Sequence, residues 1–320
     1  MATSAAQQAP SPGAGAPAAA DDLPVVRLRH PWRWVSYAVI AVLAAMFVHS
    51  LVTNPHFGWD VVGEYLFSVR ILDGLAKTLQ LTAIAMLLGI LLGVALAIMR
   101  LSANPVLSRT SWLYIWFFRG TPVFVQLLFW GFISALYPSI SIGVPFGPGF
   151  LETETNTLIT PVVAAILGLG LNEAAYLAEI FRGGIQSIDR GQTEAAQALG
   201  MKRSRILRQI IMPQAMRVIV PPTANNTISM LKTTSLVSVL SFPELLYAAQ
   251  LIYSVSFETI PLLITASIWY LVVTSVLTVG QYYIERHYSR SDRLEGLGRL
   301  GRLSALQRRR TVTDVGQDGR

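Results

Sequence analysis

Thr193-Glu194-Ala195-Ala196-Gln197-Ala198-Leu199-Gly200, followed by Ile210 and Pro213, stands between two apolar stretches at about 158–181 and 218–247. Glu, Ala, Gln and Leu are strong helix formers, Thr193 is of a capping type, and Gly200 stands where a helix ends, so a short polar helix over 194–199 is expected. At helical spacing Ala195, Ala198 and Leu199 share one face, a small smooth ridge suited to a cleft on another protein. A second short helix is expected over 204–212, held at lipid headgroups by Lys202, Arg203, Arg205 and Arg208. Two polar helices enclosed by apolar runs of that length make a connector at a membrane surface, and the chain around them an all-α polytopic membrane protein.

Composition points the same way. Of the 320 residues 52% are hydrophobic and only 13% charged, about half the charged share of a soluble domain, so the bilayer is the solvent this chain requires. The net charge of +7 sits between and after the apolar runs, which reads as an orientation signal rather than affinity for nucleic acid. With no Cys there is neither a disulfide nor a thiol nucleophile, and no metal site is expected.

Working outward, residues 1–26 are rich in Ala, Pro and Gly and read as a disordered cytoplasmic tail. A first span at 32–53, followed by further spans, is an anchor rather than a cleaved signal, and with its extracytoplasmic linker it fills 27–74. The core over 75–290 holds further spans at about 75–101, 112–137, 158–181, 218–247 and 260–284, with the polar loop at 183–213, and 291–320 is a basic cytoplasmic tail. That makes about six transmembrane helices. Arg27, Arg29 and Arg33, then Arg100 and Arg109, then the loop cations, then Arg286 and Arg290 all fall on one side if every span crosses, so both termini and the loop are expected in the cytoplasm.

Two spans carry polar stripes. At 100° per residue Asn172, Tyr176 and Glu179 lie within about 60° on one helix, and Asn225, Ser229 and Lys232 do so on the next. Intramembrane ionisable groups are costly and mark solute pathways, so these six are candidate path residues. The alternative is structural: Glu179 paired with Arg182, and Lys232 bonded to a carbonyl or to Glu244. Pro221, Pro222 and Pro243 are expected to break the fifth span where a gate bends. Gly89 and Gly93 form a GxxxG, read as close packing within one subunit.

Glu194-Ala195-Ala196, Gly200, Ile210 and Pro213 match the EAA loop of ABC-importer permeases; Met212 replaces the usual Leu, a swap that conserves volume. Arg119-Gly120-Thr121-Pro122 with Gln126, the stretch from Asn172 to Tyr176 with Glu179 and Arg182-Gly183, and Leu231-Lys232-Thr233-Thr234-Ser235-Leu236 resemble permeases of the polar amino acid subfamily. The resemblance covers about 75–288 and implies a five-helix, type I (MetI-like) core plus one extra N-terminal helix, in a bacterial inner membrane. It further implies two cytoplasmic ATP-binding subunits carrying ATP-Mg, a second permease copy or paralogue, an extracytoplasmic solute-binding protein and a polar amino acid as cargo. Glu194, Ala195, Ala196, Leu199, Gly200, Ile210 and Pro213 are then the ATPase-coupling residues, and this chain binds no cofactor. Consistent with that division, no GxxxxGK[ST] phosphate loop occurs in the chain, so it is not expected to be an enzyme. An ion-coupled secondary transporter, relaying through Glu179 and Lys232, and an intramembrane enzyme are the competing readings; the first usually shows inverted repeats, which the sequence lacks.

Overall fold

The computed structural model describes residues 32–143 and 149–314; the N-terminal tail at 1–26 and residues 315–320 lie outside the described residues. In chain order the helices are α1 (Trp32–Thr53), α2 (Trp59–Tyr65), α3 (Val69–Arg100), α4 (Pro105–Gly120) and α5 (Val123–Gly131), then α6 (Thr155–Leu158), α7 (Pro161–Gln186), α8 (Arg190–Ala198), α9 (Arg203–Ile206), α10 (Met212–Thr233), α11 (Leu245–Ser256) and α12 (Thr259–Asp314). Strands β1 (Ser139–Gly143) and β2 (Gly149–Glu154) form an antiparallel hairpin between α5 and α6, a small departure from an all-helical chain. Residues up to Pro55 form one unit and those from His56 another. The first contains α1, none of whose residues is buried.

Among the described residues four helices are long and apolar enough to cross a membrane, or up to six if each of two bent pairs is one span. The first bent pair, α4 and α5, turns by 98°; the second, the run over 203–240 followed by α11, turns by 45°. The expected span at 112–137 is therefore a helix that starts at Pro105, stops at Gly120 and restarts in a new direction at Val123. Pro122 explains the break, because its ring fixes φ and pushes Thr121 into an extended conformation, ψ 142°.

Pro221 and Pro222 do not break the fifth span: α10 runs through both to Thr233. They only remove two ladder donors, which a helix packed against others tolerates. The interruption comes later, as a 3₁₀ stretch Thr234–Leu240 ending at Ser241 in the left-handed region, φ 56°. There Glu244 is fully buried and caps α11, accepting from the amides of Leu246 (2.9 Å) and Tyr247 (2.7 Å) and from the Tyr270 hydroxyl (3.0 Å). Thr78 on α3 completes the joint, its hydroxyl accepting from the Leu245 amide at 3.0 Å.

The central pair of the second unit is α3 against α7. Gly89 and Gly93 provide the close approach: a Cβ at 89 would stand 3.0 Å from Glu173 Cγ, and one at 93 would stand 3.0 Å from Leu177 Cβ. The GxxxG thus serves packing inside one subunit, as expected. Leu81, Met86, Leu127, Leu169 and Ile219 fill the core between α3, α5, α7 and α10, and a second cluster around Leu245, Ile252 and Leu262 ties α11 to α12. Large apolar side chains such as Leu91, Trp116 and Val276 stay exposed, the pattern of a surface covered by lipid or partner helices.

Candidate functional site

Between α7, α10 and the start of α5 lies a cavity of about 250 Å³, walled by Val123, Leu169 and Met230 and lined by six polar residues. Asn172, Glu173 and Tyr176 come from one arc of α7; Asn226, Ser229 and Thr233 come from α10 at spacings of three and four. Glu173 is only 8% exposed. Its Oε1 accepts from Asn226 Nδ2 at 2.9 Å, and its Oε2 has no donor among the described residues. No basic side chain lines the cavity, so a half-satisfied carboxyl faces a small polar space, an arrangement that favours a cationic guest.

The expected path residues separate. Asn172 lines the cavity but spends its amide nitrogen on the Phe118 carbonyl, 2.8 Å away. Gln126 Nε2 donates to the same carbonyl at 3.0 Å, so both side chains secure the last turn of α4 beside the break. Tyr176 borders the cavity and also a second one of about 520 Å³, which Arg100, Arg119, Glu179 and Arg182 line. The Arg119 guanidinium lies 5.2 Å from the Tyr176 ring centroid, in cation–π range. Glu179 belongs to this second space and forms a two-pronged pair with Arg182, 2.6 Å at the shortest. Ser229 lines the first cavity, whereas Asn225 and Lys232 are exposed and line neither space. On α10 the polar arc facing α7 is therefore Asn226, Ser229 and Thr233, one residue out of register with the expected stripe. Glu173 escaped the sequence reading because with Tyr176 and Glu179 it spans about 120° on the helical wheel, against about 60° for Asn172, and Asn226 because its stripe with Ser229 and Thr233 spans the same roughly 60° as the expected one; a buried acid opposite an amide is visible only once the two helices are paired.

The coupling loop is built as a short helix with both ends secured. Asp189 rather than Thr193 is the N-cap, its Oδ1 accepting from the Gly191 amide at 2.7 Å, so α8 starts one turn earlier than expected. Its C-terminus closes in a Schellman arrangement: the Gly200 amide donates to the Gln197 carbonyl at 2.9 Å and the Met201 amide to the Ala196 carbonyl at 3.1 Å. That geometry requires φ of +75° at Gly200. Ala196 is buried against the body, whereas Glu194, Ala195 and Ala198 are exposed and Leu199 is 82% exposed, which leaves the ridge uncovered. Instead of one helix over 204–212, α9 is followed by a π turn, Leu207–Ile211, that feeds directly into α10; Ile210 lies in that turn and Pro213 in the first turn of α10. Among the described residues no cluster of acids and histidines suits a metal ion.

The family described as binding-protein-dependent transport system inner membrane component matches residues 85–290. The arginine transport system permease protein ArgU of Corynebacterium glutamicum is 49% identical over 267 residues, covering 83% of each chain. The histidine/lysine/arginine/ornithine transport system permease protein HisM of Salmonella typhimurium is 35% identical, over 68% of this chain and 92% of its own. Among solved structures, an amino acid ABC transporter crystallised with histidines matches with a TM-score of 0.57 at 34% identity, covering 68% of this chain and 94% of its own. The MetNI methionine transporter in an inward-facing form shares the fold, with a TM-score of 0.55 at 17% identity, over 68% of this chain and 96% of its own. By the extent of the family match and the identity to these permeases, the chain belongs to the binding-protein-dependent transport system inner membrane components, a family of transport subunits rather than enzymes.

Proposed function

We propose that the chain carries amino acids with a cationic side chain, arginine foremost, with Glu173 as the anchor for the guanidinium. The chain is a transmembrane permease subunit of an ATP-driven amino acid importer, and its family membership sets the secondary-transporter and enzyme readings aside. The finer reading rests on one observation: the buried Glu173 carboxyl at the cavity between α7 and α10, with Oε2 lacking a donor and no basic side chain beside it. The arginine named for the C. glutamicum relative and the basic amino acids named for HisM support it. A guanidinium replaces the absent donor with a charge-assisted pair, while Asn226 keeps the carboxylate aimed.

The remaining assembly is inferred, with family membership as its support. Two ATP-binding subunits with ATP-Mg dock on the cytoplasmic side, a solute-binding protein delivers cargo from outside, and a second permease copy or paralogue completes the pathway. The exposed ridge of α8 is the contact for the ATPase. Because α8 lies in the chain between α7 and α10, displacement of the loop is transmitted to the two helices that carry Glu173 and Asn226. Uptake of labelled arginine by proteoliposomes holding the complete complex tests the solute site. Glu173→Gln keeps the shape and removes the charge; loss of a bond to a charged group costs about 1.5–3 kcal/mol, so apparent affinity for arginine is expected to fall about tenfold to a hundredfold with the ATPase still co-purifying. Unchanged arginine uptake and unchanged competition by neutral amino acids would rule out Glu173 as the anchor.

A further inference from the structure

Behind α8, on the side away from its exposed ridge, a cavity of about 1050 Å³ opens between α8, α9 and the ends of α3 and α7. It shares no lining residue with the solute cavity. Its walls are apolar: Ile98 and Leu101 from the end of α3, Ile188 after α7, Ile206 from α9. Its cations are Arg190 and Arg203, both exposed, and no Asp or Glu lines it. Neither arginine side chain has a hydrogen-bond or ion-pair partner among the described residues. The nearby acids are committed elsewhere, since Asp189 caps α8 through the Gly191 amide and Glu194 is exposed and lines no part of the cavity. On the helical wheel Arg190, Thr193 and Gln197 fall within about 60° and line the cavity, while Ala195, Ala198 and Leu199 occupy the opposite arc.

A volume at the upper end of ligand sites, about 300–1,000 Å³, with an apolar interior and two guanidinium groups suits one chemical class, an anionic amphiphile. A free phosphate gains nothing from isoleucine walls. Basic pockets at the cytoplasmic ends of transmembrane helices are suited to acidic headgroups. We propose that this cavity holds the headgroup and upper acyl chains of an anionic phospholipid of the cytoplasmic leaflet, gripped by Arg190 and Arg203, which props α8 against the ends of α3 and α7. The propping role rests on α8 being the coupling helix; the lipid site itself does not.

The complete transporter in nanodiscs of phosphatidylcholine with graded phosphatidylglycerol tests this, with retained lipid read by native mass spectrometry and activity by binding-protein-stimulated ATP hydrolysis. Wild type is expected to retain phosphatidylglycerol over phosphatidylcholine and to hydrolyse faster as its fraction rises. The double variant Arg190→Gln/Arg203→Gln should lose that retention by about fivefold per arginine and lose the dependence on lipid composition, with the ATPase still co-purifying. Glu194→Lys, on the solvent-exposed ridge, should impair coupling and keep the lipid. Equal retention of the two lipids by wild type, undiminished retention by the double variant, or saturation of the site by glycerol 3-phosphate in pure phosphatidylcholine would each overturn the lipid site. Normal coupling in Glu194→Lys with arginine-dependent retention intact would remove the coupling reading and leave the lipid site standing.

Discussion

Glu173, the proposed anchor for the cargo, shows how a candidate residue can stay hidden in a sequence. It sits next to Asn172, which the helical wheel selected, and a difference of one position on an α-helix is only 100°. Both line the same cavity; what separates them is that Asn172 gives its amide nitrogen to the Phe118 carbonyl whereas Glu173 meets Asn226 across from α10, a tertiary fact. Gly200 is the opposite case: a glycine closing a run of strong helix formers predicts a left-handed residue, and φ is +75°. Nothing lies within 4 Å of where its Cβ would stand, so the penalty for substitution is conformational rather than steric. A non-glycine residue there costs about 1–2 kcal/mol, and a β-branched one is the least tolerated. Gly200→Val should therefore open the end of α8, lowering binding-protein-stimulated ATP hydrolysis and uptake several-fold, with Gly200→Asn close to wild type because asparagine accepts positive φ. Equal activity of all three proteins would show that the closure of α8 is not needed for coupling.

At the scale of elements, long apolar spans were legible because length and composition alone define them; α1 agrees with its expected limits at both ends. The bends were legible only in part. Of the three prolines expected to break the fifth span, α10 absorbs Pro221 and Pro222, and the interruption falls around Pro243, between Ser241 and Glu244, where a left-handed residue and a buried cap permit a new helix to start. Glu244 holds two amides and one hydroxyl, and each buried donor left unmade costs about 1–3 kcal/mol. Glu244→Ala should lower the thermal midpoint of the purified complex clearly, Tyr270→Phe by much less, since only one bond is removed. A midpoint for Glu244→Ala equal to that of wild type would mean that α11 does not depend on this joint.

For the whole molecule, orientation remains the reading of charge: the cation clusters at span ends fall on one side, with Arg70 and Lys77 near the start of α3 the main exceptions. Since the chain has no Cys, Ser204→Cys and Asn156→Cys each report a single position, both exposed. In intact spheroplasts a membrane-impermeant maleimide is expected to label position 156 only, and position 204 after lysis; labelling of both from outside would refute the six-span orientation. How the unit containing α1 serves the assembly was not legible, because a uniformly apolar helix carries no face that names its neighbour. The packing of Gly89 against the stem of Glu173 reaches further than the architecture of one subunit. An added methyl at 89 presses on the carboxyl-bearing side chain from behind, from a residue that does not line the cavity. If the cavity is the solute site as proposed, solute preference has a route through its hidden side, and Gly89→Ala is expected to alter competition among amino acids with every cavity-lining residue unchanged.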